Sequence, residues 1–166
     1  PLFKELYERN CITFDHIYAW EAVAYNQSLW WRDVPVDVRS RLSFYNVPID
    51  ESAGAKGDAS FLNKLRATAR PEDFVVLKVD VDGGPELPIV EEIAARPELA
   101  ALVDEIFFEY HFWFDGIVGP GWLIRRPGVT RGRKRRFEIV TNSTVDDAMD
   151  LMVKLRKRGI RSHFWV

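Results

Sequence analysis

Apolar residues along this chain alternate between helical spacing and short unbroken runs, and the order of the two kinds of segment predicts an α/β fold. Leu2, Phe3, Leu6 and Tyr7, interleaved with Lys4, Glu5, Glu8 and Arg9, predict a short opening helix that Asn10 ends. His16 to Trp20 reads as a short buried strand closed by Glu21. Val23 to Trp31 reads as a short helix or loop packed through its aromatic residues, and Val36 to Arg41, behind Pro35, as a polar connector. Leu42 to Ile49 is the next strand, which Pro48 confines to an edge or a terminus. A small, polar, glycine-bearing loop follows from Asp50 to Ser60. Phe61 to Ala69 then resumes helical spacing and Pro71 closes it.

The central stretch runs from Asp73 to Glu86. Phe74 to Leu77 is an unbroken apolar run that predicts a strand buried on both faces, with Lys78, Asp80 and Asp82 at its carboxyl end. Ligands of open α/β sheets collect at that end of parallel strands. Asp80 and Asp82 are two residues apart and share a face, and both stand near Gly83 and Gly84. A turn that satisfies local amides is the plain use of such carboxylates; a ligand site is the sharper one. Pro85 to Ala95 predicts a helix with Leu87, Ile89, Val90, Ile93 and Ala94 inward, Glu91 and Glu92 outward, and Pro88 tolerated in the first turn. A second helical piece covers Pro97 to Val103. The strand that starts at Asp104 then carries Glu109 and His111 on one face. His111 has the chemistry of a base, a ligand or a hydrogen-bonded core residue.

From Gly116 to Arg136 all periodicity stops, which predicts a long exposed loop. Phe137 to Thr141 reads as a short strand closing it. The last helix carries the clearest local signals. Ser143 or Thr144 caps it, Asp146 and Asp147 suit the positive end of its dipole, and Gly159 ends it after Lys154, Arg156, Lys157 and Arg158. Its expected core face is Val145, Ala148, Met149, Met152 and Leu155. Ile160 to Val166 is the final strand, with Ile160, Ser162 and Phe164 on one face and Arg161, His163 and Trp165 on the other. The expected sheet is mostly parallel, with this last strand open to an antiparallel course beside its neighbour.

Length and charge narrow the function classes. At 166 residues the chain suits one α/β domain over 1–166, and a net charge of -2 gives no overall electrostatic footprint for nucleic acid. The balance is uneven, because residues 125–136 hold seven basic side chains and no acid. Either a solvated charge cluster or a clamp for phosphate or an acidic substrate accounts for that run. The single cysteine, Cys11, rules out an internal disulfide framework and fits a reducing compartment, with the cytoplasm as the default expectation. No Cys/His spacing points to zinc, no apolar run reaches the length of a membrane-spanning helix, and no signal-peptide pattern opens the sequence.

Three separated segments then line up: Ile-Tyr-Ala-Trp-Glu at 17–21, Leu-Lys-Val-Asp-Val-Asp-Gly at 77–83 and Phe-Glu-Tyr-His at 108–111. Together they resemble the FkbM-like branch of the S-adenosylmethionine-dependent methyltransferases, over most of residues 17–111. The resemblance implies a three-layer Rossmann-like fold and S-adenosylmethionine as cofactor, with a small molecule or glycan as methyl acceptor. On that basis Glu21 holds the cofactor ribose, and Lys78 and Asp80 lie at the cofactor and substrate end of their strand. Asp80, Glu109 and His111 are the candidate catalytic groups, and Asp82, Arg125 and Arg126 the candidate acceptor contacts. Asp82 stands where the family usually has Glu. The family's glycine-rich first strand-to-helix turn is not in the sequence, and the resemblance therefore implies a piece of a longer chain that lacks the first strand. Two other functions fit parts of the pattern. One is a metal-dependent glycosyl or phosphoryl transferase built on Asp80 and Asp82. The other is a non-catalytic domain that binds a partner through its aromatics and its basic loop.

Overall fold

A computed structural model describes residues 2–51, 57–81, 85–110 and 144–165. Within these residues the chain is an α/β protein with short parallel strands in two small sheets, one in each of two compact units, Pro1–Asp50 and Glu51–Val166. The predicted strand at 137–141 and the basic loop at 116–136 lie outside the described residues, as do Asp82, His111, Arg125 and Arg126.

The first unit runs α1 (Leu2–Glu8), β1 (Ile17–Trp20), α2 (Gln27–Asp33), α3 (Val36–Arg39) and β2 (Leu42–Tyr45). Strands β1 and β2 are parallel, with Ile17 opposite Leu42 and Trp20 opposite Tyr45. Aromatic contacts supply much of the packing. Tyr7 is buried and meets Phe14 edge-on at 5.0 Å, Trp20 stacks on Tyr45 at 5.0 Å, and Trp30 lies flat on Phe44 at 3.7 Å. Trp31 meets Trp30 edge-on at 5.0 Å. The expected connector after Pro35 is instead a short helix. Pro35 sits at its N-cap, its carbonyl accepts from Val38 and Arg39, and the Arg39 guanidinium returns to the carbonyls of Val34 and Arg32 at 2.8 and 3.0 Å. A proline's fixed φ starts a helical turn as readily as it stops one. A charge cluster ties α1 to α3: Lys4 pairs with Glu8 at 2.8 Å and Asp37 at 3.0 Å. These carboxylates hold the Lys4 ammonium above its ordinary range, and Lys4 in turn holds Asp37 below its own.

In the second unit a single 3-10 turn at Gly57–Ala59 leads into α4 (Phe61–Thr68), followed by β3 (Val76–Val79), α5 (Glu86–Ala95), α6 (Pro97–Ala100), β4 (Glu105–Phe108), α7 (Val145–Lys157) and β5 (Arg161–Phe164). The sheet order is β3-β4-β5 and both pairings are parallel, with Lys78, Phe107 and His163 in one row. The antiparallel course left open for the last strand is therefore not taken. Helix α7 packs on β5 and delivers the chain to the end where β4 starts, where Arg161 N–H donates to the Asp104 carbonyl at 2.8 Å. Such a crossover helix is what a parallel neighbour needs.

Leu77, Val79, Ile106, Phe108 and Ser162 make the buried sheet face, and Ile89, Val90, Ile93 and Ala94 of α5 with Ala148, Met152 and Leu155 of α7 complete the core. The expectation of a central strand buried on both faces is also corrected. β3 starts at Val76, so exposed Phe74 precedes it, and its second face presents the solvent-accessible Lys78.

Helix α7 obeys its sequence signals at both ends. Thr144 caps it, Asp147 completes a capping box, and Gly159 adopts φ +94 just after it. Its core stripe is Ala148, Leu151, Met152 and Leu155, whereas Val145 and Met149 are 47% and 48% exposed, so those two leave the expected core face. Beyond it, Arg158 donates to the carbonyls of Ala94 and Ala95 at 3.3 and 3.4 Å, placing a cation at the negative end of α5.

Thr144→Ala removes the acceptor of the Asp147 amide and is expected to lower stability by about 1 kcal/mol in a denaturant titration. The Thr144 backbone N–H bonded to Asp147 holds that carboxyl below the ordinary 3.8, so its contribution is complete above pH 3.8 and is lost as pH falls through the lowered folded value. Asp147→Asn is expected to flatten the acid limb of a stability-against-pH curve.

No helix among the described residues is long and apolar enough to cross a membrane.

Candidate functional site

Among the described residues, the carboxyl ends of β3, β4 and β5 in the second unit bring together Lys78, Asp80, Glu109 and Trp165. Hydrogen bonds carry the ladder past the strand ends: Glu109 N–H donates to the Val79 carbonyl at 3.0 Å and Trp165 N–H to the Phe108 carbonyl at 2.9 Å. Asp80 follows β3 directly, and its carboxylate is ion-paired with the Lys78 ammonium. Glu109 follows β4 and is 9% exposed. Thus Lys78, Asp80 and Glu109 share one end of two hydrogen-bonded parallel strands, where sequence placed them.

Residues i and i+2 of a strand share a face, so the row Lys78, Phe107, His163 and the row Val76, Glu105, Arg161 lie on the same side of the sheet, opposite the helical core. The two rows are chemically connected. His163 stacks on Phe107 at 4.7 Å, Phe107 meets Trp165 edge-on at 6.1 Å, and the Lys78 ammonium lies 4.9 Å from the centre of the Trp165 ring. At the other end buried Glu105 pairs with His163 at 2.8 Å and with Arg161 at 3.2 Å, while Arg161 covers the Phe74 ring at 5.6 Å. A cation held between a carboxylate and an indole face can hydrogen-bond an oxygen or nitrogen acceptor without leaving its place.

The loop after β3 is anchored from its far side. Glu86, the first residue of α5, is 1% exposed, and its Oε1 accepts from Val81 N–H at 2.6 Å. That bond fixes the backbone next to Asp80.

Glu21 belongs to the first unit. It follows β1, its N–H donates to the Tyr45 carbonyl at 3.1 Å, and its Oε1 accepts from Val23 N–H at 2.7 Å. Asn46 braces the same turn: its amide donates to the carbonyls of Glu21 and Val23 at 2.8 and 2.7 Å, and its Oδ1 accepts from Tyr25 N–H at 2.9 Å. The carboxylate thus shapes its own turn through one oxygen, the plain structural use of a strand-end acid. A carboxylate has several lone pairs, and one amide bond leaves capacity for a diol.

Asp82, the second carboxylate of the metal-dependent reading, lies outside the described residues, and Asp80 is the one of the pair whose surroundings the structure describes. An ammonium already lies against Asp80, and a divalent ion there would have to displace it. Among the described residues no group of three or more His, Cys, Asp or Glu side chains converges as a metal site.

No family model matches the chain, and neither a curated protein nor a solved structure matches it.

Two contributors escaped sequence reasoning. Glu86 reads as an ordinary acid in the first turn of a helix, and nothing local reveals its bond to Val81. Trp165 was legible only as a member of the His163 face; its contact with Lys78 crosses the intervening strand β4.

Proposed function

We propose that this chain is a methyltransferase-type domain with a three-layer Rossmann-like fold, which uses S-adenosylmethionine to methylate an oxygen or nitrogen of a small molecule or glycan. The observation that carries the reading is the placement of Lys78 and Asp80 at the carboxyl end of β3, beside parallel β4, within a segment that resembles the methyltransferase motif. Ligands of α/β sheets collect at that end. The turn after β1 supports it in the first unit, where Glu21 follows a parallel strand as a ribose-binding acid does.

In this reading Glu21 takes the ribose hydroxyls. Lys78 and Asp80 bind cofactor and acceptor, and Asp80, Glu109 or His111 accepts the acceptor's proton. Asp82, Arg125 and Arg126 contact the acceptor. Methyl transfer is governed by alignment of the nucleophile with the methyl–sulfur bond, and a base matters only for a poor nucleophile. S-adenosylmethionine would supply the methyl group from its sulfonium sulfur, which would leave as the neutral thioether S-adenosylhomocysteine.

Calorimetric titration with S-adenosylhomocysteine tests this. Glu21→Gln keeps an oxygen for the Val23 amide but loses the charge that strengthens bonds to a diol, so affinity is expected to fall by about 10-fold, the scale of a charge-assisted hydrogen bond. Unchanged affinity in Glu21→Gln and in Glu21→Ala would remove the ribose role.

A further inference from the structure

Trp165, the residue just after β5, lies at the carboxyl end of the sheet and touches a charged residue of the candidate site. Its backbone is held by the bond from its N–H to the Phe108 carbonyl at 2.9 Å. Its ring is braced edge-on by Phe107, whose other neighbour is the stacked His163 ring. His163 is itself tied to Glu105 at 2.8 Å. The indole therefore rests on a supported row of rings, and Lys78 reaches over β4 to lie on it.

A lysine chain has four rotatable carbons and, exposed on a strand, samples many rotamers. Here two restraints from different strands act on one ammonium: the Asp80 carboxylate at the end of β3 and the Trp165 ring at the end of β5. Asp80 alone fixes a distance, since an ion pair is weakly directional. The ring adds a direction, because a cation is attracted to the face of the indole. Together they aim the ammonium along the strand end.

We propose that Trp165 is a positioning residue: its indole face orients the Lys78 ammonium against Asp80 at the carboxyl end of the sheet. The link between Trp165 and ligand binding rests on the methyltransferase reading, while the orientation of Lys78 does not. Completion of β5 then becomes a condition for a formed site on β3, two strands away.

The test uses the full chain with Trp165→Leu and Trp165→Phe, each checked for an unchanged melting transition. Two readouts follow Lys78 itself. Ring current from the indole shifts the Lys78 Hε protons upfield in the NMR spectrum, and an amine-acylating reagent followed by peptide mapping measures how freely the ammonium leaves its place. In Trp165→Leu the upfield shift is expected to vanish and acylation of Lys78 to rise by about 3- to 10-fold, the scale of a partly exposed cation–π contact. Trp165→Phe is expected to retain part of both, a graded rescue that a purely space-filling role would not give. Unchanged Hε shifts and acylation in a folded Trp165→Leu would overturn the proposal. S-adenosylhomocysteine titration adds the ligand arm, with affinity lowered several-fold in Trp165→Leu and partly restored in Trp165→Phe. A wild-type protein that binds no adenosyl ligand would remove the methyltransferase reading, and the two Lys78 readouts would still decide the role of Trp165.

Discussion

Phe108→Ala is expected to lower the unfolding free energy by about 3–5 kcal/mol, measured by denaturant titration, with a matching fall in melting temperature. Phe108 is 1% exposed and sits in the middle strand of the three-stranded sheet, on the face that packs against α5 and α7. Truncation there removes most of a large buried side chain from a close-packed core, at the cost of the lost transfer energy and of the cavity left behind. Set against a typical total of about 5–15 kcal/mol, the loss is enough to unfold a marginal domain. Val153→Ala on the outer side of α7, where the side chain is 41% exposed, is the control and is expected to change stability by no more than about 0.5 kcal/mol. Equal effects of the two substitutions would contradict the assignment of the core face.

Glu86→Ala should be the most damaging change close to the site. The carboxylate is 1% exposed, begins α5 and holds Val81 N–H at 2.6 Å. Alanine removes that acceptor, an acid at the positive end of the helix and the volume of a buried side chain. The combined cost is expected to be about 2–3 kcal/mol. Glu86→Gln keeps an oxygen in place and is expected to recover most of it. The local consequence is measured separately, as faster hydrogen exchange of the Val81 amide in Glu86→Ala than in Glu86→Gln. Identical exchange in the two variants would show that the bond does not hold the backbone beside Asp80.

Elements with their own local signals were legible in the sequence. Thr144, Asp147 and Gly159 delimit α7, and the alternation of Ile160 to Trp165 separates a buried Ser162 from exposed Arg161 and His163. The strand ends that carry Glu21, Lys78, Asp80 and Glu109 were legible too, because apolar runs stop there. What depended on packing was not. Phe74 and Val76 are as apolar as a doubly buried strand requires, yet β3 covers its core side with Leu77 and Val79 alone. Val145 and Met149 fit the helical period, but the α7 stripe is centred one position away, on Leu151 and Met152. The direction of β5 depends on where α7 returns the chain. The ion pair of Glu105 with Arg161, its hydrogen bond with His163, and the contact of Lys78 with Trp165 join residues far apart in sequence.

Hydrogen–deuterium exchange of the full chain with and without saturating S-adenosylhomocysteine tests the proposed function most directly. The turn at residues 21–25, after the carboxyl end of β1, is shaped by the Glu21 carboxylate and Asn46, and its amides are expected to gain protection when a ribose binds there. The amino end of the same strand, residues 14–17, is expected to exchange at the same rate with and without ligand. Ligand-dependent protection at residues 21–25 and none at residues 14–17 in wild type, with the protection at 21–25 lost in Glu21→Ala, is the predicted result. Protection at residues 14–17 instead, or no ligand-dependent change in the folded protein, would contradict the methyltransferase reading.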